Sequence, residues 1–124
     1  MRKLALFGLV ALLLPAVACD GGEGSPPSDC VDLSTQGDSF TITLRGNEFV
    51  PSCFTASASQ RLTLVNEDAV MHSFTIEGTP IDVDIEGGQT LDLDPITGVV
   101  EPGTYDLICK YHLPGMTGQV TIVE

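Results

Sequence analysis

The sequence is short of cations, of histidine and of helical pattern, and each shortage excludes something. Five lysines and arginines stand against 17 aspartates and glutamates in 124 residues. Two of the five, Arg2 and Lys3, sit at the start, so the chain beyond residue 18 has a charge balance of −14. A surface of that sign repels phosphate backbones, which argues against nucleic acid as a partner. It is a strongly solvated surface, and one that also suits a partner with a basic face. No segment carries a persuasive long apolar stripe at helical spacing, which argues against an all-helical domain. The longest apolar run, from Leu4 to Ala18, is short for a membrane span and stops at Cys19. Histidine occurs only as His72 and His112.

Arg2 and Lys3 followed by that apolar run have the form of a secretory signal over residues 1–18. The segment Ala16-Val17-Ala18-Cys19 resembles a bacterial lipobox, in which cleavage precedes the cysteine and its thiol is lipidated. That resemblance implies export and attachment through Cys19 to the extracytoplasmic face of a bacterial membrane, on the periplasmic side or at the cell surface. Residues 19–37 are expected to form a tether, because DGGEGSPPSD, from Asp20 to Asp29, is rich in glycine, proline and acid and has no apolar period. Residues 38–124 are left as one small domain.

Within that domain the period is close to two. Phe40, Ile42 and Leu44 alternate with Thr41, Thr43 and Arg45, the pattern of a half-buried strand. Further strands are expected at Phe54–Ala58, Arg61–Val65, Ser73–Glu77, Ile81–Ile85, Thr90–Leu93, Thr104–Cys109 and Gln119–Val123, separated by turn formers such as Gly46-Asn47 and Pro114-Gly115. Seven to eight short strands at this spacing predict an all-β Greek-key sandwich or barrel. In IDVDIE and TLDLDP, alternation sends Asp82, Asp84, Glu86, Asp92 and Asp94 to the solvent face, where they discourage pairing between sheet edges rather than gather a calcium ion.

If lipid consumes Cys19, three cysteines remain, an odd number in an oxidising compartment. Either one thiol stays free, or one is held as a thiolate by something other than sulfur. Cys30 and Cys53 are the obvious pair for a disulfide, which leaves Cys109.

Cys109 lies in CKYHLPGM, with His112 three residues on and Met116 four further, and Pro114-Gly115 able to turn the chain between them. His72, at a strand end in DAVMHSF, could approach from a neighbouring strand. A thiolate, two imidazoles and a thioether form a soft donor set suited to copper in both oxidation states. Zinc could take the thiolate and imidazoles, and a Cys-His pair could act as a nucleophile. No catalytic carboxylate, orienting group or oxyanion site is identifiable beside them.

From NEFVPS through VNEDAVMHSFTI to EPGTYDLICKYHLPGMTGQVTIVE, residues 38–124 resemble the cupredoxin family of type 1 blue copper proteins, typified by plastocyanin and azurin. The resemblance implies one copper ion cycling between Cu(I) and Cu(II). His72 and His112 would be its imidazole ligands, Cys109 its thiolate and Met116 its axial thioether. It places Ser73 where such proteins tether the upstream ligand segment to the cysteine loop. The Cys-x2-His-x3-Met spacing is one residue shorter between His and Met than in plastocyanins and one longer than in amicyanins. The implied role is that of a non-enzymatic, monomeric carrier of single electrons between redox partners, docking through an apolar rim of Val70, Met71, Leu113 and Pro114. A copper-binding lipoprotein for capture, storage or delivery would use the same ligands.

Overall fold

The computed structural model describes residues 30–124. The expected signal, the lipobox cysteine Cys19 and the tether from Asp20 to Asp29 lie outside the described residues.

Ten strands follow one another: β1 (Val31–Asp32), β2 (Ser39–Arg45), β3 (Glu48–Val50), β4 (Cys53–Ser57), β5 (Arg61–Asn66), β6 (His72–Ile76), β7 (Asp82–Ile85), β8 (Thr90–Leu93), β9 (Gly103–Ile108) and β10 (Thr117–Val123). They form a six-stranded sheet in the order β1-β4-β10-β9-β6-β7 and a four-stranded sheet in the order β3-β2-β5-β8. No helix occurs among the described residues. The all-β expectation is borne out, and the fold is consistent with a Greek-key sandwich. The count exceeds seven to eight because β1 and β3 hold two and three residues, too few for an alternating pattern to show in the sequence.

Alternation builds the core. In β2, Phe40, Ile42 and Leu44 are buried while Ser39, Thr41 and Arg45 are exposed. In β6, His72, Phe74 and Ile76 face inward. Two aromatic pairs join the sheets: Phe40 of β2 lies 5.9 Å from Phe54 of β4, and Phe49 of β3 lies 6.1 Å from Phe74 of β6, ring centre to ring centre. The carboxylates of β7 and β8 are exposed, as alternation requires.

The packed structure also reaches upstream of residue 38, into residues assigned above to the tether. Cys30 and Cys53 are disulfide-bonded, with Cα atoms 4.6 Å apart. β1 pairs with β4 in parallel, and Leu33 is buried in the core. Buried Gln60 donates its amide hydrogens to the carbonyls of Leu33 and Gly37, both at 2.9 Å. The Gly/Pro-rich composition of residues 20–29 gives no warning that the residues after them are tied to the domain by a disulfide, a short strand and the buried Leu33.

Candidate metal centre

Two strand ends and two loops build the site. β5 ends at Asn66, whose buried side chain organises the loop leading to His72. Its amide nitrogen lies 2.9 Å from the carbonyl oxygen of Val70 and 3.1 Å from those of Ile85 and Glu86, and its oxygen accepts the Asp68 N–H at 3.0 Å. An amide is suited to this because it donates on one side and accepts on the other. Gly87 lets the loop lie close: a Cβ at that position would sit 2.3 Å from the Ala69 carbonyl oxygen. The loop is thereby held against the end of β7, and His72 opens β6 fully buried.

β9 ends at Ile108, and the next residue is Cys109, free of any disulfide and buried. The loop from Cys109 to Met116 is closed by its own backbone. Cys109 N–H donates to the Met116 carbonyl at 3.0 Å, and Gly115 and Met116 N–H donate to the His112 carbonyl at 2.9 and 3.0 Å. The close spacing that made this loop conspicuous in the sequence is thus the spacing of a self-bonded turn.

The structure brings three of the four expected ligands together. Their donor atoms all lie within 4.8 Å of one another. His72 Nδ1 is 3.2 Å from His112 Nδ1, and Cys109 Sγ is 3.3 Å from His112 Nδ1 and 3.7 Å from His72 Nδ1. In the plane of these three atoms the equidistant point is about 2.0 Å from each, the length of a metal–nitrogen bond and slightly less than a metal–sulfur bond. The donor set and its spacing therefore fit one metal ion. Met116 is buried at 1% exposure, and its backbone closes the Cys109–Met116 loop.

The surroundings orient these donors. His72 Nε2 lies 2.7 Å from Asp68 Oδ2. An ionised carboxylate only accepts, so Nε2 carries a proton toward Asp68 and the ring turns Nδ1 to the cluster. Asp68 also accepts the N–H groups of Gly46 and Asn47 at 2.8 and 3.0 Å. Those two bonds, foremost that from Asn47, together with the His72 hydrogen bond, hold its carboxyl at about 2. Ser73 N–H points at Cys109 Sγ from 3.3 Å, and Ser73 Oγ accepts the Lys110 N–H at 2.8 Å. The expected tether between the upstream segment and the cysteine loop is present. Asp68 was missed in the sequence, where it counts as one turn former among many carboxylates; its place four residues before His72 is the only local signal.

The model of the cupredoxin-like domain matches residues 7–122. The chain belongs to the cupredoxin family. Three solved structures set this cupredoxin among folds like its own. A copper-containing nitrite reductase from Thermus scotoductus SA-01 aligns with a TM-score of 0.55 at 22% identity, over 69% of this chain and 22% of that one. An oxidised proline-to-alanine variant of amicyanin aligns with a TM-score of 0.53 at 20% identity, over 69% and 83% of the two chains. The Cu(I) form of a methionine-to-glutamine variant of amicyanin gives 0.54 at 18% identity, over 80% and 97%. At such identities the likeness is one of fold, and the cupredoxin spans only 22% of the reductase chain. A comparison with curated proteins returns no match.

Proposed function

We propose that His72, Cys109 and His112 would hold one type 1 copper ion, with the Met116 thioether as a weak fourth donor. This cupredoxin carries single electrons between redox partners at the extracytoplasmic face of a membrane, attached there through Cys19. The convergence of His72 Nδ1, Cys109 Sγ and His112 Nδ1 supports this more than any other observation. Copper bound there would supply a one-electron couple. The chain supplies a buried cradle: His72 and Cys109 are fully buried, and hydrogen bonds from His72 to Asp68, from Ser73 N–H to Cys109 and within the loop backbone hold their positions. A cradle that resists rearrangement suits electron transfer better than bond chemistry, and burial keeps water and substrate from two of the three donors. This favours a carrier over an enzyme.

His112 is partly exposed and offers the edge of the site to a partner. Exposed Leu113, at 55%, and exposed Pro114 follow His112 in the chain, and exposed Val70 and Met71, at 50% and 42%, precede His72. An apolar rim can be covered without stripping water from charges. The acidic surface beyond it suits a redox protein with a basic docking face.

The deciding experiment mixes the copper-loaded protein with redox proteins of differing surface charge and follows one-electron exchange. Fast, reversible exchange supports the carrier. Slow exchange with every partner, alongside productive donation of copper to an acceptor, assigns the protein to copper delivery instead.

A further inference from the structure

A ring of hydrogen bonds runs from the exposed edge of the six-stranded sheet to the cysteine loop. On the outer face of β6, Ser73 and Thr75 stand two residues apart, opposite Asp84 and Asp82 of the edge strand β7. Lys110 N–H donates to Ser73 Oγ at 2.8 Å. Ser73 Oγ lies 3.0 Å from Thr75 Oγ1, and Thr75 Oγ1 donates to Asp82 Oδ1 at 2.9 Å. Lys110 Nζ, 2.8 Å from the same Asp82 oxygen and 3.1 Å from Asp84, closes the ring on the residue where it began.

The protons in this ring have one arrangement. A carboxylate only accepts, so the single Thr75 hydroxyl proton points to Asp82. The Ser73 proton must then point to Thr75, which leaves the Ser73 lone pairs for the Lys110 N–H. Each bond polarises the next in the same direction. The Lys110 hydrogen bond, followed by that of Thr75, holds the Asp82 carboxyl below its ordinary value, so the accepting end stays charged at neutral pH.

We infer that Thr75 and Asp82 are positioning residues for Cys109, acting through Ser73 and the Lys110 peptide on a sulfur that neither of them touches. The Lys110–Asp82 pair is too exposed to add much stability by itself. What it does is fix a direction: with its own proton on Asp82, Thr75 offers lone pairs to the Ser73 proton, which leaves the Ser73 lone pairs aimed at the Lys110 N–H. The peptide after Cys109 is thereby held, while Ser73 N–H remains on Sγ at 3.3 Å. The ring is built without a metal. Its effect on a copper–thiolate bond rests on the function proposed above.

The test compares Thr75→Val, which keeps the branched shape and removes the hydroxyl, with Thr75→Ser, which keeps the hydroxyl, both in the full chain. In metal-free protein, Lys110 amide hydrogen exchange should rise about tenfold in Thr75→Val and stay near wild type in Thr75→Ser. The denaturation midpoint, measured alongside, separates this from global loss of stability. With copper bound, Thr75→Val and Asp82→Asn should each shift the thiolate-to-copper band and the reduction potential. The double variant should shift them no further than the larger single change, because the residues act in one chain. Wild-type exchange at Lys110 in Thr75→Val would overturn the inference. Faster Lys110 exchange in Thr75→Val, in a protein whose wild type shows no thiolate band, would sustain the ring and sink the copper assignment.

Discussion

Asp68 Oδ2 lies 2.7 Å from His72 Nε2, and the same side chain accepts two N–H groups from the turn between β2 and β3. Gly46 and Asn47 both adopt left-handed backbone there, with φ of 64° and 57°, conformations that glycine and asparagine tolerate best. The turn aims both N–H groups at the carboxylate. One side chain thus locks a hairpin of the four-stranded sheet to His72 of the candidate metal centre on the six-stranded sheet.

Replacing Asp68 with alanine removes the acceptor that sets the His72 ring. Copper affinity should fall about 10- to 100-fold, the usual consequence of losing such a partner. Competition against a chelator of known affinity checks this. Unchanged affinity would show that packing alone orients His72.

The same carboxylate makes stability depend on acid. Its folded value of about 2 lies below the ordinary 3.8, so its contribution is fully present above the ordinary value. It is lost as pH falls through about 2. Asp68→Asn mimics the protonated form. Its denaturation midpoint should trail wild type by a constant margin above about pH 4, and the margin should close near pH 2. A margin unchanged down to pH 2 would contradict the stated interaction.

Gly87→Ala tests the loop that carries His72. The added methyl would meet the Ala69 carbonyl at 2.3 Å, and neither partner is the end of a flexible side chain. A destabilisation of about 1–3 kcal/mol is expected from such overpacking, with weaker copper binding because residues 66–72 must move. Chemical denaturation measures the first effect and chelator competition the second. A fully stable variant would mean that the loop yields freely.

Much of this was legible in the sequence because rare residue types carry it. With only two histidines and three cysteines beyond Cys19, the donors stand out, and their positions at strand ends follow from the alternation of β6 and β9. The surrounding groups were less legible. Which of many carboxylates meets His72 depends on how the turn after β2 lies against the loop after β5, a contact between residues 21 and 22 positions apart. The same holds for the ring through Thr75 and Asp82, which exists only in the register of β6 against β7. β1 escaped notice because two residues have no readable period, and Leu33 is its neighbour in sequence. Ser73 was legible only through family resemblance, since one hydroxyl beside a histidine has no distinctive pattern of its own.

The assignment of Cys109 as a copper thiolate is tested most directly by visible absorption and electron paramagnetic resonance after loading with Cu(II). The wild-type protein should show an intense thiolate-to-copper band with narrow copper hyperfine splitting. Cys109→Ser should abolish the band, whereas Met116→Leu should keep it and change the potential. A colourless wild-type protein that binds zinc stoichiometrically, or a band that survives in Cys109→Ser, would contradict the assignment.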